Sequence, residues 1–261
     1  MERVRTPAVA GTFYPANAAQ LRESVDRYLA HADSAGEPPK ALIAPHAGYI
    51  YSGPVAASVY AQLRDPKAPV ERVVLLGPAH RLRFEGLAAP GVRYFATPLG
   101  EVELDEPAIE RVCALPFVDH LPQAHESEHS LEVQLPFLQI VLGEFKLVPL
   151  LVGDATGTQV AQVLETLWGG AETLIVISSD LSHFLDYETA RDIDARTSQA
   201  IIELRGDDIG FEQACGRLPV QGLLEVARRR HLRGSIVDLR NSGDTAGSMD
   251  RVVGYGAYAF R

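Results

Sequence analysis

Hydrophobic and polar positions along the 261-residue chain switch repeatedly between two periods, and the switches mark out alternating helices and strands. Residues 17–31 place Leu21, Val25 and Leu29 on one face, with Asn17 and Gln20 in capping-box spacing, which predicts a surface helix packed on a core. The ADSAGEPP that follows is turn chemistry, and KALIAP (40–45) is a short apolar run closed by Pro45, which suits a buried strand. GPVAASVYAQL (53–63) predicts a helix with Pro54 near its first turn, and ERVVLLG (71–77) a second buried strand. These three elements read as one βαβ unit whose crossover length fits a parallel pair.

The pattern continues with turn-rich short segments over 86–103, read as an inserted hairpin, and with a helix over DEPAIERVCAL. A helix over 130–143, a strand over 145–153, a helix near 157–168 and the strongest strand, ETLIVISSD (172–180), follow. Helical text resumes at 187–204 and 207–231, where the basic RRRH at 228–231 complements a helix C-terminus. Two strands, 235–240 and 251–260, close the sheet. The expectation is an α/β fold: a single domain over 1–261 with a mostly parallel central sheet flanked by helices.

Composition supports an ordinary globular chain, 46% hydrophobic and 22% charged. A chain this long buries roughly 70–75% of its unfolded surface, so its core needs no structural metal or disulfide. Net charge is −10, from 24 basic and 34 acidic residues, which removes the diffuse positive field that nucleic-acid binding needs and leaves room only for a local basic patch. Two cysteines rule out a disulfide framework and agree with a reducing, cytoplasmic setting. The N-terminus is too broken by Gly11, Pro15 and Asn17 for a signal peptide, and no apolar run is long enough for a membrane helix.

Candidate chemistry is positional. His46, His80 and His183 each sit just past the C-terminal end of a predicted strand, where an open α/β sheet has its ligand crevice. A lone histidine there is usually a loop or capping residue, but three coincide. Asp244, in NSGD after strand 235–240, should reach the same edge. His46, His80 and Asp244 would form a facial triad of two imidazoles and a carboxylate, the donor set of a ferrous ion; zinc and copper suit it too. Asp180 and His183, three apart beyond a buried strand, form a candidate acid–base pair.

His129 is a candidate pocket contact. His125, Glu126 and His129 hold half of a di-iron helix pattern whose second half is missing. Glu132, in the first turn of the helix after Ser130, is read partly as a dipole effect. Ser179 lacks a nucleophile elbow, and no phosphate-loop or dinucleotide fingerprint is present. Cys113 reads as core. Cys215, with no histidine near it in sequence, reads as a buried structural residue.

Taken together, AGTFYPA (10–16), IAPHAGYIYSGPVAA (43–57), LLGPAH (75–80), EHSLEVQLPFLQ (128–139), LLVGD (150–154), SSDLSH (178–183) and NSGD (241–244) resemble the Memo family, also called AmmeMemoRadiSam system protein B. The family is similar in fold to class III extradiol ring-cleaving dioxygenases. The resemblance implies a metal pocket at His46 and His80, with His183 where those dioxygenases place an acid–base histidine. It also implies, in some members, a cysteine ligand after the penultimate strand. NSGDTAG has none, so Asp244 stands in, with His183 as the alternative third ligand. Tyr49 and His129 would line the pocket against a small-molecule or peptide substrate.

The leading expectation is a mononuclear non-haem iron protein: a dioxygenase-like oxidoreductase, or the metal component of a modification system with radical SAM and AMMECR-type partner proteins. A non-enzymatic peptide-binding protein using the same crevice, and a zinc-dependent hydrolase, are the alternatives.

Overall fold

The computed structural model describes residues 4–33, 37–64 and 69–261, so part of the ADSAGEPP turn lies outside the described residues. The chain opens with β1 (Val4–Arg5), α1 (Ala18–Ala30), β2 (Ala41–Ala44), α2 (Tyr49–Tyr60) and β3 (Arg72–Pro78). Next come β4 (Leu87–Ala89), β5 (Tyr94–Thr97), β6 (Gly100–Glu103), α3 (Glu106–Cys113), β7 (Val118–His120), α4 (Pro122–Glu126) and α5 (Leu135–Leu142). The second half runs β8 (Lys146–Val152), α6 (Gly157–Leu167), β9 (Thr173–Ser178), β10 (His183–Leu185) and α7 (Tyr187–Ile202). It ends with α8 (Arg217–Arg229), β11 (Gly234–Asn241) and β12 (Val252–Phe260).

The architecture is mixed α/β, with helices flanking a nine-stranded sheet in the order β10-β12-β2-β9-β3-β8-β4-β7, β11 also pairing with β12. Its centre, β2-β9-β3-β8, is parallel. These strands read as nearly unbroken Val, Leu and Ile because both faces are covered: Val73 to Leu76 and Ile175 to Ile177 are fully buried. Each such side chain stabilises the fold by about 1.5–3 kcal/mol relative to exposure. Antiparallel strands flank the centre, β12 against β2 on one side and β4 against β8 on the other. A separate three-stranded sheet joins β1, β5 and β6.

Three details depart from the sequence pattern. The strands of the first βαβ unit, β2 and β3, are not neighbours, because β9 hydrogen-bonds between them. Only β5 and β6 form the expected hairpin, while β4 joins the main sheet. Helix α2 begins at Tyr49 rather than Gly53, with Pro54 inside it. The proline removes a hydrogen bond to the carbonyl of Ile50, a residue 62% exposed, so water can satisfy that group.

Local signals otherwise act as their chemistry dictates. Asn17 Oδ1 accepts from the backbone N–H groups of Ala19 and Gln20, and Leu21, Val25 and Leu29 are buried. The basic cluster ends α8, where Arg230 pairs with Glu165 and lies over the Trp168 ring at 4.8 Å.

Candidate metal centre

The parallel centre of the sheet fixes the site. β2, β3 and β9 end on one side, so His46, His80 and the 178–183 segment emerge side by side. The 46 and 80 rings lie 5.2 Å apart between centroids. His129 joins them from the segment before α5, stacked on His80 at 4.8 Å and edge-on to His46 at 5.5 Å.

Each of these two histidines, His46 and His80, is held through Nδ1. Ser178 Oγ donates its one proton to the Ser130 carbonyl (2.6 Å) and accepts from Gln134 Nε2 (2.8 Å), so its contact with His46 Nδ1 (2.8 Å) requires an Nδ1–H. Gln134 is oriented in turn by Tyr60, whose hydroxyl donates to Oε1 at 2.7 Å. His80 Nδ1 lies 2.9 Å from Glu128 Oε1. Burial pushes the Glu128 carboxyl up, but hydrogen bonds from the His80 ring and backbone and from the Ser130 N–H outweigh it and hold the group ionised, well below its ordinary range. An ionised carboxylate only accepts, so His80 Nδ1 also carries its proton. Both imidazoles therefore present a bare Nε2, the form and tautomer a metal ion requires.

Cys215 occupies the position the sequence reading gave to Asp244. Its Sγ lies 3.3 Å from His46 Nε2, and donor atoms of His46, His80 and Cys215 fall within 4.8 Å of one another. Ligands about 2.0–2.3 Å from a tetrahedral ion sit roughly 3.5 Å apart, so this trio needs only small closure. The thiol is cradled by the Asp180 N–H, which donates to Sγ at 3.3 Å. Gly216 allows this approach: a Cβ there would lie 2.7 Å from the Ser178 carbonyl oxygen and from Ser179 Cβ. Burial, then the Asp180 carboxylate, pushes the free thiol far above its ordinary pKa, so it is protonated when no cation is bound, and a bound cation would have to displace that proton.

A second donor group, His80, Glu128 and His129, also lies within 4.8 Å. Glu128 is already committed, with Oε1 accepting from His80 Nδ1 and from the His129 and Ser130 N–H groups, and Oε2 accepting from the His80 N–H. It acts as the outer support of His80. His129 Nδ1 is buried 3.2 Å from Glu128 Oε1, outside hydrogen-bond geometry, and burial lowers its pKa to about 4, so its imidazole is neutral beside the centre. Burial, reinforced by charge on His80 and His129, likewise depresses the His46 pKa well below its ordinary value. The donor chemistry of His46, His80 and Cys215 fits a cation.

Asp180 and His183 border this trio. Asp180 Oδ1 accepts from the His46 N–H at 2.7 Å, its Oδ2 lies 4.0 Å from His46 Nε2, and burial pushes its pKa up to about 6. His183 Nδ1 contacts the Leu181 carbonyl at 2.8 Å, and His183 interacts electrostatically with both Asp180 and His46.

The structure places Asp244 and Tyr49 away from the donor trio. β11 does run parallel to β2, but β12 lies between them, so its end sits roughly 10 Å along the sheet edge. There Asp244 accepts from the Tyr187 hydroxyl (2.6 Å) and the Asn241 N–H (2.9 Å), closing an exposed turn, and it belongs to neither donor group. Tyr49, drawn inward by the early start of α2, is buried between Tyr14 and Phe137 with its hydroxyl on the Val133 carbonyl.

Glu132 and His125 belong to the packing of the fold. Glu132 is fully buried, paired with Arg5 at 2.7 Å, and also accepts from the Tyr14 hydroxyl and the Ala8 and Val9 N–H groups. His125 is a core residue whose Nε2 contacts the Ala88 carbonyl at 3.0 Å.

Fold and site together define a mixed α/β protein with a histidine–cysteine donor cluster at the C-terminal edge of its parallel strands. The chain belongs to the Memo family: the family model described as Memo-like protein matches residues 5–259. It is 39% identical to a MEMO1 family protein of Aquifex aeolicus over 97% of both chains. It is 35% identical to one of Methanopyrus kandleri over 98% of this chain and 99% of the relative. A crystal structure of an uncharacterized Escherichia coli K12 protein overlaps it at a TM-score of 0.49, with 15% identity over 82% of this chain and 98% of that one. No helix among the described residues is long and apolar enough to cross a membrane.

Proposed function

We propose that this Memo family chain is a metal-dependent oxidoreductase whose His46, His80 and Cys215 hold a single first-row ion, iron(II) in the leading reading. The observation that carries it is the paired tautomer control: two separate networks, through Ser178 and Glu128, leave both Nε2 atoms bare beside one cysteine sulfur. A bound ferrous ion would supply Lewis acidity and one-electron chemistry, with coordination positions left for substrate.

The chain's own residues supply the rest. His183 lies outside the donor trio, so its imidazole is available to move protons at the mouth of the centre. Asp180, with a pKa near 6, positions the His46 backbone and can hold a proton close to Nε2. His129 offers its edge to whatever occupies the centre.

The thiol gives a second reading, because two imidazoles and a thiolate also suit zinc and would support hydrolysis rather than redox chemistry. Anaerobic purification followed by metal analysis separates the two. The proposal expects about one ion per chain, lost in His46→Ala, His80→Ala and Cys215→Ala while the circular dichroism spectrum stays native. Undiminished metal in all three variants would contradict it. Zinc alone, with no iron binding on reconstitution, would favour the hydrolase.

A further inference from the structure

A cleft of about 780 Å³ opens beside the donor cluster, with His80 and Cys215 in its wall, and its charge runs against that of the whole protein. Its lining carries Arg81, Arg83 and Arg217 against Glu85 and Asp154, a net +1 on a chain of net charge −10. None of the three arginines has a carboxylate partner among the described residues.

The placement of the charges is informative. Arg81 directly follows His80, and Arg217 follows Cys215 by two residues, so two of the three proposed ligands each bring a guanidinium to the same wall. Arg81 is close enough for its charge to act on His129. The two acids sit side by side, on backbone segments bridged Glu85 to Asp154 beyond the end of β8.

Arg217 also opens α8, a 13-residue helix whose first turn has no acidic residue and whose cap has no side-chain hydrogen bond, so the positive end of its dipole adds to the arginines. Apolar surface completes the wall: Phe211 is 79% exposed, with the Arg217 guanidinium 5.7 Å above its ring, and Leu82 is 39% exposed. Unpaired arginines beside open apolar side chains are what an amphiphilic anion requires. The volume is that of a small-molecule site.

We infer that this cleft binds a small organic oxyanion, a carboxylate or a phosphate ester, with the anionic group on Arg81, Arg83 and Arg217 and the remainder directed at His80 and Cys215. The inference rests on the metal-centre reading for its orientation and deepens it by naming the substrate class. The arginines fix the charged end, and Phe211 and Leu82 offer apolar contact to the rest.

The test is calorimetric titration of the full chain with benzoate, phenyl phosphate and neutral benzamide, with metal content measured on the same samples. At least one anion should bind, and benzamide should bind roughly tenfold more weakly or worse. Benzoate and phenyl phosphate distinguish the two anion classes. Arg81→Gln and Arg217→Gln should each lower anion affinity by roughly tenfold without changing metal content, and Arg81→Lys should restore part of it.

Equal affinity for benzamide, wild-type affinity in the triple Arg→Gln variant, or no binding of either anion would overturn the inference. The two readings fail separately. Arginine-dependent anion binding that persists in His46→Ala leaves the cleft standing whatever that variant does to the metal.

Discussion

Replacing Glu128 by glutamine keeps the side chain's size and removes its charge, which isolates what the carboxylate does for His80. Four donors converge on it: Oε1 receives the His80 ring N–H and the His129 and Ser130 backbone N–H groups, and Oε2 receives the His80 backbone N–H. The less damaging amide orientation keeps the oxygen at Oε1 and turns the NH2 toward the His80 N–H. That donor–donor conflict buries an unsatisfied group at about 1–3 kcal/mol. The three surviving bonds lose their charge assistance, about half their strength.

A stability loss of about 2–5 kcal/mol should follow, read from urea denaturation of the metal-free protein. Metal affinity should fall by roughly 10- to 100-fold, because His80 loses the partner that fixes its tautomer and its basicity. Glu126→Gln, two residues away and exposed, is the control and should change neither. Unchanged metal affinity in a destabilised Glu128→Gln protein would refute the reasoning, because it would make Glu128 a folding residue only.

Two more outcomes follow from the structure. Asp194 is buried with Oδ1 on the Ser182 N–H and Oδ2 without a partner, and burial pushes its pKa up to about 6 from an ordinary 3.8. The folded state therefore holds this proton more tightly than the unfolded state, and its ionisation penalty is absent below about pH 4 and complete above about pH 6. Asp194→Asn should then stabilise the protein by about 2–3 kcal/mol in urea denaturation at pH 8, and by roughly half that at pH 5; no gain at pH 8 would count against this. Asp244→Asn should cost at most about 1 kcal/mol, as for an exposed cap, and leave metal content unchanged; loss of metal would restore Asp244 as a ligand.

Most of the sheet was legible because its central strands are apolar on both faces and carry the period of their environment in the text. The order of those strands was not: β9 inserts between β2 and β3 through pairings more than 95 residues apart in sequence, which no local pattern encodes. Half of the candidate site was legible for a related reason. His46 and His80 follow strand ends, and the rule that parallel strands end together brings them into one crevice.

Cys215 was missed because its histidine partner lies 169 residues away in the chain and because it follows a loop rather than a strand. The signal that could have found it is local: a cysteine followed by Gly216, immediately before a helix start, is placed for close approach at a positive helix end. Asp244 misled for the opposite reason. It does end a strand of the right direction, but on the wrong side of β12. The supporting shell left a fainter mark in the polar Gln134 and Ser178, set in largely apolar buried text, and in the buried Glu128. Buried polar residues inside core-like text are satisfied by one another, and here they are satisfied through the two histidines.

X-ray absorption at the edge of the bound metal tests the central claim most directly, because it counts sulfur neighbours whatever the reaction is. The account predicts imidazole nitrogens at about 2.0–2.2 Å and one sulfur at about 2.3 Å in the metal-loaded protein, with the sulfur shell lost in Cys215→Ser and retained in Asp244→Asn. A first shell of nitrogen and oxygen only, identical in the wild type and in Cys215→Ser, would contradict it.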